Sequence, residues 1–150
     1  MKKKTAWILG ALLFCAALVQ AQSSKDFNLK RGVMAKGYDV VAYFEGKVAE
    51  GSKKFKSGYL GAVFYFSSEK NKNTFDKTPA KYMPEYGGWC AYAMGETGEK
   101  VDINPETFEI MDGKLYLFYN KFFNNTKVKW DKNPVELKKK ADTNWKNYFK

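Results

Sequence analysis

Phe108-Glu109-Ile110-Met111-Asp112-Gly113-Lys114-Leu115-Tyr116-Leu117-Phe118-Tyr119 is the stretch on which the fold turns. Apolar residues alternate on both sides of Asp112-Gly113, and a period of two places them on one face of a strand. Asp-Gly suits the type I′ turn, which needs positive φ at both central positions and matches the twist of paired strands. The reading is a β-hairpin. A second hairpin is expected upstream, where the aromatic-rich runs Phe55–Leu60 and Ala62–Phe66 flank Gly61. Helical punctuation surrounds both. Asp39 is placed to cap Val40 to Phe44 with Gly46 as the stop, although that apolar run also fits a strand. Ser67-Ser68-Glu69 opens a polar helix to about Lys77, ended by Thr78-Pro79, and Pro79 to Met83 adds a further turn. Asn120 is read as the cap of a helix to about Asp131, with Phe122 and Phe123 facing the core. Pro134 stands at the first position of a last helix, where Val135, Leu137, Ala141, Trp145 and Tyr148 or Phe149 share a stripe. The sum is an α+β fold: a small antiparallel sheet of two β-hairpins, packed with short helices and a C-terminal helix pair.

The 150 residues suit one domain, and neither a repeat nor a Pro/Gly-rich linker divides them. The N-terminus is expected to leave the mature chain. Met1-Lys2-Lys3-Lys4 precedes an apolar run from Ala6 to Val19 and then Val19-Gln20-Ala21, the pattern of a secretory signal peptide over residues 1–21. The run is shorter than the roughly 20 residues that span a bilayer. Cys15 follows Phe14, where a lipoprotein signal wants a small residue, so it is assigned to the discarded segment. Residues 22–150 then form the single domain of a protein exported to the periplasm or beyond. Loss of Lys2, Lys3 and Lys4 takes the net charge from +10 to +7 and leaves Cys90 as the one thiol.

Histidine is absent. That excludes Ser-His-Asp and Cys-His nucleophiles, histidine-bridged zinc or copper, and imidazole base catalysis. Lysine outnumbers arginine 25 to 1, which disfavours bidentate reading of phosphates or bases, and export argues further against a nucleic-acid partner. The basic C-terminal end, with Lys127, Lys129, Lys132, Lys138, Lys139, Lys140 and Lys146, is read as a solvated face, with weak attraction to anionic lipid or polysaccharide as its functional alternative.

Several ordered blocks resemble the YHS-domain family in its longer, exported bacterial version. They are Gly37-Tyr38-Asp39-Val40-Val41-Ala42-Tyr43-Phe44, Gly61 through Glu69, Phe75, and Pro79-Ala80-Lys81-Tyr82. The longer version continues through Tyr86-Gly87-Gly88-Trp89-Cys90-Ala91-Tyr92-Ala93, Asp102, Pro105, the Asp112 hairpin and a closing Trp145. The resemblance implies a soft-metal role, because compact relatives carry cysteines at three points of this pattern. Here those points are Ala42, Ser67 and Asn71. A methyl, a hydroxyl and an amide do not rebuild a thiolate site. Ser67 is read instead as a helix cap and Asn71 as an exposed helix position.

Cys90 and Met94 remain as the candidate metal ligands, with Cu⁺ as the ion. On a helix their spacing brings the side chains to about 5–6 Å. On a strand it separates them by roughly 13 Å. The aromatic content and the adjacent Gly87-Gly88 favour strand. Core packing is the competing role for both residues, and also for Tyr38, Tyr43, Tyr86, Trp89 and Tyr92, which could otherwise line a pocket beside Cys90. The expected function is an exported small binding or accessory module of the YHS type, with soft-metal (copper) handling implied by the resemblance. It would act on an envelope protein or small ligand, and no integral membrane segment is expected in the mature chain. The alternatives are a metal-free interaction domain of the envelope and a thiol-dependent enzyme centred on Cys90.

Overall fold

A computed structural model of the chain describes residues 24–150. The signal-peptide segment 1–21, with Cys15, lies outside the described residues. Two short strands open the domain, β1 (Leu29–Lys30) and β2 (Val33–Met34), paired antiparallel. Helix α1 (Val40–Phe44) follows, capped by Asp39 as expected. The aromatic hairpin forms from β3 (Ser52–Tyr59) and β4 (Ala62–Phe66), then α2 (Glu69–Lys77) and α3 (Pro79–Tyr82) complete this half. β2 pairs parallel with β4 through Val33 and Val63, so the sheet runs β1-β2-β4-β3. Two-residue strands carry too little pattern to be seen in a sequence, and this parallel pairing was not anticipated.

The second half contains α4 (Ala91–Glu96), β5 (Asn104–Met111), β6 (Lys114–Phe118), β7 (Asn120–Lys121), β8 (Asn124–Asn125), α5 (Thr126–Trp130) and α6 (Pro134–Asn147). β5 and β6 form the hairpin expected around Asp112-Gly113, with positive φ at both turn residues. β6 is buried on both faces. Leu115 and Leu117 enter one apolar cluster, with Phe64, Phe66, Phe75 and Cys90. Tyr116 and Phe118 enter another, with Met94, Trp130, Ala141 and Trp145. A doubly covered strand reads as a continuous apolar run, and Leu115 to Phe118 is such a run, not the alternating, one-faced strand expected of it. Among the described residues no helix is long and apolar enough to cross a membrane.

Four local expectations are corrected. The Trp89–Met94 stretch starts helix α4 and is not a strand: Cys90 N–H bonds to Val101 O at 2.9 Å, and the chain then turns so that Ala91, Met94 and Gly95 are buried toward α6. A Cβ on Gly95 would lie 2.5 Å from Leu137 O, so this position fixes how closely α4 and α6 pack. The helix expected from Asn120 is a β-hairpin. Asn120 pairs with Asn125 and Lys121 with Asn124, and only then does α5 begin, capped by Asn125. Phe122 and Phe123 form the turn of that hairpin and stand in solvent, not in the core. In α6, Leu137, Ala141 and Trp145 are buried as expected but Val135 is exposed.

Candidate functional site

Asp39 is fully buried and within hydrogen-bond reach of the three positions at which the resemblance places thiols. Its Oδ1 accepts from the backbone N–H groups of Val41 (2.9 Å) and Ala42 (3.2 Å). Its Oδ2 accepts from Ser67 N–H (2.8 Å), Ser67 Oγ (2.7 Å) and Asn71 Nδ2 (2.8 Å). The three positions at which compact relatives carry thiols therefore all serve one carboxylate. Ser67 is not the helix cap, since Ser68 Oγ accepts from Asn71 N–H at 3.1 Å and fills that role. Asn71 is not exposed: it is buried because its amide must reach Asp39. The hub joins α1, the end of β4 and α2. A buried carboxylate whose oxygens receive five donors is satisfied as it stands. The donor set does not fit a soft cation, which favours thiolate, thioether or imidazole ligands.

Cys90 is fully buried at the start of α4. Its Sγ accepts from Tyr119 N–H at 3.3 Å and lies 3.4 Å from Thr126 Oγ1. Thr126 gives its single hydroxyl proton to Tyr119 O at 2.8 Å, which leaves the Cys90 S–H to donate to Thr126. The thiol links the start of α4 to Tyr119, just past β6, and to the first residue of α5. Met94 N–H bonds to Cys90 O at 3.0 Å, so helical spacing holds in the backbone. The side chains divide, however: Cys90 packs in the first apolar cluster and Met94 in the second. Among the described residues no group of three or more Cys, Asp or Glu is placed to hold a metal ion.

The aromatic residues considered for a pocket beside Cys90 have separate partners. Tyr43 is buried and donates to Pro105 O at 2.6 Å, while burial raises its hydroxyl above the ordinary range. Trp89 Nε1 donates to Asp26 O at 2.7 Å, and Tyr38 donates to Glu50 at 3.4 Å. Tyr92 lies beneath Lys129 Nζ, 5.8 Å from its ring centre. Tyr86 faces a cleft of about 400 Å³ whose walls include Glu85, Lys114, Asp142 and Trp145. Its hydroxyl donates to Asp142 at 2.9 Å, and Lys138 pairs with the other oxygen of that carboxylate at 2.7 Å. Burial, followed by the Asp142 charge, raises the Tyr86 hydroxyl well above its ordinary range. Lys114 pairs with Glu85 across it at 3.2 Å and Lys146 lines it as well, so the cleft can receive a small polar group.

A network that sequence reasoning missed joins the N-terminal lead to the middle of the chain. Asn28 Nδ2 donates to Asp102 (3.0 Å) and to Gly88 O (3.1 Å). Lys36 Nζ donates to Asp102 (2.7 Å) and to Ile103 O (2.6 Å). Asp102 stood in a family-like block, but nothing local to Asn28 or Lys36 signals a partner more than sixty residues away.

A family model for the YHS domain matches residues 40–86, from the first residue of α1 to Tyr86. No curated protein and no solved structure matches the chain.

Proposed function

We propose that this chain, which carries a YHS domain over residues 40–86, is a small exported binding and accessory module of the cell envelope that acts without catalysis and without a thiolate metal centre. The supporting observation is the Asp39 hub. Soft-metal handling is the chemistry associated with the YHS domain, and the positions that would supply it here donate hydrogen bonds to a carboxylate instead. The domain keeps the junction of α1, β4 and α2 and replaces a coordination centre with a hydrogen-bonded one. Its working surfaces then lie outside the hub, toward an envelope protein or a small polar ligand. The export pattern of residues 1–21 supports the location.

Cu⁺ held by Cys90 and Met94 is the second reading, and the helical backbone between them favours it. Against it stand the hydrogen bonds already made by Sγ and the packing of Met94 in a different cluster. Thiol catalysis finds less support still, because the named partners of Sγ are a peptide N–H and a threonine hydroxyl, neither of which is a base. Native mass spectrometry of the anaerobically purified protein, titrated with Cu⁺ and with Zn²⁺, tests the proposal. Only weak, substoichiometric adducts are expected, equal in Cys90→Ser. Stoichiometric Cu⁺ binding lost in Cys90→Ser would establish the second reading instead.

A further inference from the structure

We propose that the Phe122–Phe123 turn is a wedge that inserts into an anionic lipid surface. Phe122 is 87% and Phe123 111% exposed, while every other phenylalanine among the described residues is buried or half-buried. The two rings crown a two-residue turn between β7 and β8, with φ of 51° and 63°. Asn-Gly would satisfy that left-handed backbone without strain, and for a bulky aromatic it is an outlier. Strain of this kind collects at functional sites, and here it coincides with a second unfavourable choice, two large apolar rings in water.

Charge identifies the occupant. Lys121 flanks the turn, and α5 follows at once with Lys127 and Lys129, then Lys132. Lys127 pairs with Asp131 at 2.7 Å, but among the described residues Lys121, Lys129 and Lys132 have no ion-pair partner. Val128, on the exposed face of α5, adds an apolar side chain between these lysines. Exposed rings at a narrow tip, with exposed lysines in the adjoining segment, match a membrane interface, where apolar groups enter the acyl boundary and cations remain among anionic headgroups. A two-residue tip is also far smaller than the roughly 800 Å² per partner of a stable protein interface, which disfavours a second copy of the chain as the occupant.

Co-sedimentation of the full chain with vesicles of phosphatidylglycerol and phosphatidylcholine tests the inference, with phosphatidylcholine vesicles as the control. The informative variant is the double substitution Phe122→Asn, Phe123→Gly, which suits the turn and should keep or raise the melting temperature. Any lipid affinity of the N-terminal apolar segment is common to both proteins, so the difference between them reports the tip. The variant is expected to lose about ten-fold or more in partition onto anionic vesicles, and wild-type binding should weaken with salt. In Phe123→Trp, the added fluorescence should shift to the blue on anionic vesicles and be quenched by brominated acyl chains. Equal partition of wild type and double variant overturns the inference. So does added fluorescence that brominated lipid leaves unquenched, or that is already blue-shifted without lipid in a concentration-dependent way, which would mark a second copy as the occupant.

Discussion

Asn71 Nδ2 donates to Asp39 Oδ2 over 2.8 Å, joining residues 32 apart in the chain at the point where α1, β4 and α2 meet. Both side chains are buried, so the bond has no water to replace it. Asp39→Asn puts an amide NH₂ against donors whichever way the group is turned. The expected cost is about 3–5 kcal/mol, as for a broken buried charged network. Asn71→Ala removes one donor of five and is expected to cost about 1–3 kcal/mol. Urea unfolding followed by circular dichroism measures both, and an Asp39→Asn protein within about 1 kcal/mol of wild type would show that the hub is not what holds the junction.

Cys90 has the opposite character from a reactive thiol. Its Sγ is enclosed and hydrogen-bonded to Tyr119 N–H and Thr126. Maleimide labelling, resolved by peptide mass spectrometry, should leave Cys90 unmodified in the folded protein and modify it fully in denaturant. Cys90→Ala removes the acceptor for Tyr119 N–H and is expected to cost about 1–3 kcal/mol. Rapid native labelling would contradict the buried placement.

Asp102 links stability to acid. Burial alone would raise its carboxyl, but hydrogen bonds from Lys36, Asn28 and Ile103 N–H outweigh that and hold it below the ordinary value of 3.8. A carboxyl depressed in the folded state binds its proton more readily in the unfolded state. Its stabilisation is therefore complete above the ordinary value and is lost as pH falls through the folded one. The half-exposed side chain keeps the effect small. Lys36→Met should flatten the acid limb of the stability curve between about pH 4 and pH 2, and an unchanged limb would place the acid sensitivity elsewhere.

Tyr43, Tyr86 and Tyr116 govern the alkaline side. Burial raises all three hydroxyls above the ordinary value of 10.0, with Asp142 adding to it at Tyr86 and Glu85 at Tyr116. Their protons are held more tightly in the folded protein, so this contribution is complete below pH 10 and declines as pH rises toward the folded values. Tyrosinate absorbance from these residues should rise together with loss of near-ultraviolet circular dichroism. Ionisation of all three in a protein that keeps its tertiary signal would contradict their burial.

The hairpins and caps were legible because their causes are local. Asp112-Gly113 specifies its own turn, and Asp39 and Pro134 sit where helices begin. The role of Asn71 was not legible, because an amide on a polar helix looks exposed until the fold brings Asp39 to it. Helix α4 could have been found from the Ala91, Met94, Gly95 stripe, which has helical spacing, but neighbouring aromatics outweighed it. The Phe122–Phe123 turn defeated a general rule: adjacent phenylalanines are ordinarily core, and no local pattern says that a two-residue turn will lift them into water. The candidate metal pair illustrates a further limit. Spacing of four gave the correct backbone relation, while β6, running between the two clusters, sends Cys90 and Met94 to opposite sides.

Gly87 is the point at which Phe27, ahead of β1, and Trp145 of α6 converge. A Cβ there would lie 2.9 Å from Phe27 Cδ1 and 3.0 Å from Trp145 Cη2, and Asn28 N–H bonds to Gly87 O at 2.9 Å. One added methyl would therefore press on Phe27 and on α6 at the same moment, at a residue whose φ of +61° already favours glycine. Gly87 is a shared clearance: two segments that never meet in sequence depend on the same missing carbon, so a substitution there would loosen both together.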